Sequence, residues 1–165
     1  MDIGLFLSAD GSGADLAIAN GDIALDSTLQ TAVILSLMCD RLADADDAIP
    51  DGSSYRRGWC GDPYLPPLPD GSPDYLGSKL YLFLRCTATQ QNANLIAGAA
   101  YDSLEWMILD GIASSIVVTT SWIDSNGLAM NVVITRAVPG STAPTAYAFL
   151  WDRTLGTLTP VTSLN

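Results

Sequence analysis

Apolar and polar residues alternate through the first part of the chain. Leu5 and Leu7 are spaced by one residue, and "ADLAIANGDIALD" (14–26) alternates on both sides of Asn20-Gly21. Alternation broken by Asn-Gly predicts a β-hairpin. The period then changes. Leu29, Val33, Leu37 and Met38 recur at helical spacing, and Ser27 with Gln30 has the S-x-x-Q form of a capping box. This first helix is expected to fade near Asp44, where "DADDAIPDG" brings in acids, Pro50 and Gly52.

Residues 50–78 show neither period, and so long a connection inside a small domain is usually functional or disordered. "KLYLFLRC" (79–86) alternates again and predicts a strand. Leu80, Leu82 and Leu84 lie on one face, with Lys79, Tyr81, Phe83 and Arg85 on the other. A second helix is expected from about Asn92 to Asp110, with Ile96, Ala100, Leu104, Met107 and Ile108 as its buried stripe. Gly111 stands as its stop. "SSIVVTTSWI" and "LAMNVVITRAV" read as strands joined by a turn at Asp124-Ser125-Asn126-Gly127. "TAYAFLWD" (145–152) follows, with Tyr147, Phe149 and Trp151 on one face. The Thr-rich residues 153–165 are an extended tail, expected either to extend freely or to pair with something else. The order predicts an α+β fold: a mostly antiparallel sheet with two helices packed on one face, an N-terminal hairpin and a C-terminal three-strand meander. A single domain over 1–165 is expected, with its core in 1–152.

Composition narrows the function. Eighteen acids against seven bases give a net charge of −11 with no histidine, which disfavours nucleic acid and anionic membranes as partners. Glu105 is the only glutamate and Lys79 the only lysine. A surface poor in both favours assembly with other proteins, whose contact cores are depleted in these types. The segment MDIGLFLSAD has no basic region resembling a secretory leader. Cys39, Cys60 and Cys86 lack metal spacing and suggest free thiols in a reducing cytoplasm.

Histidine-dependent triads are excluded, no phosphate-binding loop occurs, and no cofactor or metal is expected. "DGSGAD" and "DGSPD" lack the calcium ladder and read as turns. Paired carboxylates remain. Glu105 beside Trp106, with Asp110 or Asp102 as partner, could serve a lysozyme-like peptidoglycan-cleaving enzyme. A solvated helix face explains these acids more simply.

"ALDSTLQTAVILSLMCDRLAD", "RRGWCGD", "GSKLYLFLR", "LEWMILDGIA", "VVITR" and "FLWD" occur in the order of the phage Mu-like tail baseplate protein family. The chain resembles that family over about residues 1–152, and its members are similar to the baseplate wedge, or sheath initiator, component of contractile tails. Arg56-Arg57-Gly58-Trp59, Gly61-Asp62 and Gly77-Ser78 are the most specific pieces. Cys60 stands where a second large aromatic is common, and Lys79 where arginine is usual.

The resemblance implies structural work in the virion tail, assembled in the host cytoplasm. Its implied partners are the tail sheath protein, baseplate wedge proteins, and tube or hub proteins, with about six copies in a ring. Strand sharing with sheath needs an open sheet edge, and "TAYAFLWD", free of Pro and Lys, is the expected one. The competing reading makes that strand central, or covers it with the tail. The expected partner-binding residues are Arg56, Arg57, Trp59, Asp62, Lys79, Tyr81, Arg85, Tyr147, Phe149 and Trp151. The two loop arginines pair either with "DADDAIPD" upstream or with a neighbouring protein, with Trp59 as an anchor.

Overall fold

The computed structural model describes residues 2–8, 13–26, 28–137 and 144–161. Six short strands come first: β1 (Asp2–Ile3), β2 (Leu5–Leu7), β3 (Ala14–Leu16), β4 (Ile18–Ala19), β5 (Asp22–Ile23) and β6 (Leu25–Asp26). They pair antiparallel as β2 with β3, β4 with β5, and β1 with β6. The expected turn joins β4 to β5, with φ of 54° at Asn20 and 81° at Gly21. A two-residue turn of this kind needs positive φ at both positions, and Asn-Gly tolerates it.

Helix α1 (Gln30–Met38) is tied at its start by long-range groups. Asp26 Oδ2 accepts from the Thr31 N–H at 3.0 Å, and the Tyr147 hydroxyl accepts from the Leu29 N–H at 3.2 Å. Ser27 of the expected capping box lies outside the described residues. The helix stops at Met38, well before Asp44. Asp40 instead bridges to Ser78, with the Ser78 N–H on the Cys39 carbonyl (2.8 Å) and the Arg41 N–H on the Ser78 carbonyl (3.0 Å). A sequence-distant main chain thus takes over where intrahelical bonds would have continued.

The expected second helix is two. α2 (Gln90–Leu104) begins under Thr89, whose Oγ1 accepts from the Asn92 N–H at 3.2 Å. After Glu105 comes the short α3 (Trp106–Leu109), ended by Gly111 at φ 69°. Trp106 Nε1 donates to Ser36 Oγ at 3.1 Å and ties α3 to the buried side of α1.

Four strands make the main sheet: β7 (Ala113–Trp122), β8 (Gly127–Arg136), β9 (Pro144–Asp152) and β10 (Leu158–Pro160). Their order is β10-β9-β8-β7, antiparallel throughout. The fold is α+β, as the pattern predicts. Register sets the inner face: Ile116 opposes Ile134, Met130 opposes Phe149, and Trp151 stands between Leu128 and Leu158. These residues, with Val33 and Ile34 of α1 and Ile96 and Leu104 of α2, form one buried core. α2 lies along β7, where Thr120 Oγ1 donates to the Ala93 carbonyl and Trp122 Nε1 to the Thr89 carbonyl, both at 2.8 Å.

Two further expectations are overturned. "KLYLFLRC" is not a strand, because Leu80–Phe83 is a 3-10 turn with Leu80 and Tyr81 buried in succession. Gly77 just before it, at φ 105°, lies so close to Cys39 that a Cβ there would stand 2.2 Å from the Cys39 carbonyl oxygen. That approach swings the chain under α1, and Ser78 Oγ then donates to the Leu37 carbonyl at 2.7 Å. The second correction concerns the tail. Residues 158–160 pair with Trp151, Leu150 and Phe149, and the Val161 N–H reaches the Ala148 carbonyl at 2.8 Å. The edge of β9 expected to be open is therefore covered by the chain's own C-terminal segment.

Candidate functional site

The Gly- and Pro-rich loop folds back on the end of α1 and builds a clasp. Arg57 holds a left-handed φ of 57°, followed by Gly58 at 100°. This turns the Arg57 guanidinium inward, where Nη1 meets Asp40 Oδ2 at 2.7 Å and the cation lies 4.3 Å from the centre of the Tyr81 ring. An ion pair on one side and an aromatic face on the other hold the group more firmly than either alone. Arg56 reaches back to the Ala43 carbonyl, its Nε at 2.6 Å and its Nη2 on the same oxygen. The Ala43 N–H completes the exchange on the Arg56 carbonyl at 2.9 Å. Tyr81 donates its hydroxyl toward the Arg41 and Arg56 carbonyls at 3.1 and 3.2 Å. Burial, followed by the nearby Asp40 carboxylate, pushes that phenol above its ordinary pKa, which keeps it a donor.

The acids upstream are gripped by Lys79 rather than by either arginine. Its Nζ lies 2.5 Å from Asp44 Oδ2 and 2.7 Å from Asp47 Oδ2. Desolvation alone would lower the Lys79 pKa, but the hydrogen bonds it donates to Asp44 and Asp47 prevail and hold it above its ordinary value. The Lys79 hydrogen bond is the main cause that lowers Asp47. Asp62 fixes the other end of the loop, accepting from the Trp59 N–H with Oδ2 and the Leu76 N–H with Oδ1, both at 3.1 Å. The Trp59 ring covers Gly61, where any Cβ would overlap it at 2.0 Å. The motif residues thus have local structural causes, and both loop arginines bind within the chain.

The remaining expected site residues separate. Arg85 is exposed at φ 60°, its N–H on the Arg153 carbonyl at 2.8 Å. Trp59 keeps 39% of its surface exposed. Tyr147 is half-buried against α1, whereas Phe149 and Trp151 keep only 4% and 1% exposed and hold the core from within. Sequence reasoning missed Asp40 and Arg153. Arg153 Nε donates to the Ser125 carbonyl at 2.5 Å and Nη1 to the Cys86 carbonyl, which staples the tail to the β7–β8 turn and to the end of the 3-10 segment. Neither residue had a marking signal, because each acts on partners far away in sequence. A cavity of about 140 Å³ lies between the clasp and the tail, with Asp40, Arg57 and Tyr81 on one wall and Leu155 and Leu158 on the other.

The open edge is β7. Its ten residues, ASSIVVTTSW, contain no Pro, Gly or charge. The Ile123 N–H donates to the Gly127 carbonyl at 2.9 Å just beyond the strand. Stepping back by twos from that pair leaves the main-chain groups of Ile116, Val118, Thr120 and Trp122 directed away from β8. Among the described residues no other main-chain group meets them. A bulge at Ser114 disturbs only the first part of the strand.

Comparison with known proteins gives a consistent picture. The family described as "Phage protein GP46" matches residues 29–141. "Baseplate protein gp46" of Escherichia phage Mu is 39% identical over 104 residues, 63% of this chain and 67% of that protein. "Mu-like prophage FluMu protein gp46" of Haemophilus influenzae is 30% identical over 107 residues, 65% of this chain and 67% of the relative.

Proposed function

The chain belongs to the phage protein GP46 family, and on that premise we propose that it joins the baseplate wedge and templates the first ring of tail sheath through the open edge of β7. The Mu relative's name supports the coarser part, a structural role in the baseplate of a phage tail. The single observation that carries the finer part is the uncharged ten-residue edge, unpaired among the described residues. Four outward residues offer four N–H donors and four carbonyl acceptors to an added strand, and each bond contributes about 0.5–1.5 kcal/mol net. Such pairing is insensitive to most side chains, so a sheath subunit can supply any extended arm of matching length. About six copies related by cyclic symmetry would present these edges in a ring. The clasp then acts within each subunit. It secures the 3-10 segment beneath the sheet, so that a strand added at β7 meets a rigid partner.

Glu105 and Asp102 are exposed at the end of α2, and Asp110 is exposed beyond α3. That placement suits a helix surface and gives the lysozyme-like reading no enclosed pair of carboxylates.

Proline tests the edge. At Val118 it replaces an outward N–H, so the β7–β8 ladder keeps its bonds while the ring projects into the space of the added strand. Val118→Pro protein with wild-type circular dichroism and melting should enter tails that carry no sheath. Ala148→Pro on the covered edge of β9 is the control and should leave sheath formation intact. Normal sheath on folded Val118→Pro tails would sink the strand-sharing reading.

A further inference from the structure

The Gly- and Pro-rich loop contains a segment that the clasp does not use. From Pro63 to Pro69 it reads PYLPPLP. Proline fixes its own φ at about −65° and pushes the residue before it out of the helical region. Pro66, Pro67 and Pro69 therefore commit Leu65, Pro66 and Leu68 to extended backbone, and Pro67 between them has its φ fixed. Leu65 shows the result, with φ −69° and ψ 142°, the angles of a polyproline II helix. Such a helix repeats every three residues, so Pro66 and Pro69 share one edge and lie about 9 Å apart along it. Leu65 and Leu68 share another edge, and because Leu65 is half-buried that edge faces the domain. Pro66, Pro67 and Pro69 are exposed as a ridge, preceded by Tyr64 with 89% of its surface exposed.

The ridge is held at both ends. Before it, Asp62–Tyr64 is a 3-10 turn, with the Tyr64 N–H on the Gly61 carbonyl (2.9 Å) and the Leu65 N–H on the Asp62 carbonyl (3.1 Å). Beyond it, the Leu68 N–H donates to the Ser72 carbonyl at 2.9 Å, and Gly71, at φ 84°, donates to the Leu68 carbonyl at 2.8 Å. Asp70 Oδ1 closes that turn, accepting from the Ser72 N–H and hydroxyl at 2.9 and 2.6 Å. These bonds decide what the ridge can recognise. Pro63, Pro66, Pro67 and Pro69 have no N–H, and those of Tyr64, Leu65 and Leu68 are already engaged. The carbonyls of Leu65, Pro66 and Pro67 accept no hydrogen bond among the described residues. A main chain with acceptors alone cannot extend a sheet, since a paired strand must both donate and accept. Its partner has to be a donor. The proline rings add a second demand, flat apolar surfaces to lie against. Tryptophan meets both, because its indole is a flat ring with an N–H donor and no acceptor, and tyrosine follows with its phenol O–H. This chain offers a second copy no such groove. Trp106 and Trp122 donate their indoles internally, Trp151 is buried, and the Trp59 ring lies over Gly61.

We propose that the ridge at residues 64–69 docks into a groove of another tail protein lined by tryptophan or tyrosine. The rings of the groove cover the prolines, and their indole N–H and phenol O–H groups donate to the bare carbonyls. Because the prolines hold the ridge in its docked form beforehand, little conformational freedom is lost on binding. The contact presupposes a place in the baseplate but not the β7 edge, and the two surfaces fail differently. Loss of the edge leaves the subunit in the tail without sheath, whereas loss of the ridge contact removes the subunit from the tail.

Full-length protein carrying a photo-crosslinking aromatic amino acid at Tyr64, assembled into tails, identifies the groove by mass spectrometry of the crosslinked peptide. A peptide of another tail protein is expected, with Trp or Tyr at or beside the crosslinked residue. Two variants measure the contact. Pro66→Ala with Pro69→Ala removes two ring faces from one edge of the ridge and frees its backbone. Pro73→Ala, also exposed but beyond the turn, is the control. The double variant should melt within a few degrees of wild type and enter tails at least tenfold less well, whereas the control should enter normally. Crosslinking to a second copy of this chain, to a segment without Trp or Tyr, or to nothing would overturn the proposal. So would normal incorporation of the folded double variant, an equal deficit in the control, or a melting loss that accounts for the deficit. Wild-type protein absent from purified tails would refute the baseplate role itself, and the ridge contact with it.

Discussion

The two ends of the main sheet are opposites. At one end β10 is three residues long, finishes in Pro160, and covers β9 under the hold of Arg153. At the other, β7 runs for ten residues with no proline or lysine and, among the described residues, no strand paired along its outer edge. Strand composition alone does not separate them, because β9 also lacks lysine and has proline only at its first residue. What separates them is a tail that returns to one and not to the other. Short strands and prolines are the usual means of keeping edges from pairing with other chains, and this molecule applies them at only one end. An edge left long and neutral beside one so carefully closed reads as a provision for a partner.

The largest effect should come from opening the closed end. Leu158 is 3% exposed and packs against Trp151 from the tail. Leu158→Ala should cost about 2–5 kcal/mol, which in a chain of this length is about 2–4 °C of melting temperature per kcal/mol. Hydrogen exchange should quicken at the Val161 amide, while the β7–β8 amides keep their relative protection. Uniform loss across the sheet would mean that the two edges are not independent.

Arg57→Ala should cost less. Its partner Asp40 is partly exposed, and with the Tyr81 contact the loss should be about 1–2 kcal/mol, measured by denaturant titration. Because Arg57 faces the tail across the shared cavity, the closed edge should loosen before the open one changes.

Acid separates the two ends by charge. Asp47 is held below its ordinary value of 3.8, so its contribution is present above 3.8 and is lost as pH falls through its folded value. Lys79 is held above 10.5, so its contribution is present below 10.5 and is lost as pH rises through the folded value. Melting should therefore be insensitive to the clasp between about pH 4 and 10 and fall on both sides of that range, with Lys79→Met flattening both limbs. The uncharged β7 offers no titrating group of its own. A Val118→Pro variant should thus show the wild-type pH profile.

The smallest change in stability and the sharpest in function should come from Val117→Lys. The residue is exposed on the outer face of β7, so the folded state should shift by no more than about 0.5 kcal/mol. A charge on the edge strand should still reduce sheath nucleation, read as the fraction of sheathed tails by electron microscopy. Equal sheathing would assign recognition to the main chain alone.

The meander was legible because three long alternating runs left only one face to bury, with Asp124 to Gly127 marking the tightest turn. The Asn20-Gly21 hairpin and the Gly111 stop were legible for the same local reasons. "KLYLFLRC" was not, because a short alternating run has no local feature that tells a strand from a turn buried at both ends. Gly77 against Cys39 decided it, a contact across 38 residues of chain. The clasp was half legible. Arg56-Arg57 beside Trp59 announced a recognition loop, but Asp40, the true partner of Arg57, stood outside the acidic run expected to meet it. The tail's partner was left open, and the last strand was wrongly expected to stay uncovered, because Thr-rich residues state no preference until β9 offers them an edge.

Arg153 also has a consequence for how the protein is made. β10 leaves the ribosome after β7, β8 and β9, so the nascent sheet passes through a stage with both long edges bare. In that interval it is exposed to pairing with other nascent chains. Arg153 is the first residue synthesised after β9, and its partners at Cys86, Ser125 and Asn126 are already in place when it emerges. It can dock before β10 exists and turn the chain back toward the strand that β10 must cover. Arg153→Ala should therefore reveal itself less in the melting of purified protein than in the yield of soluble protein from the cell.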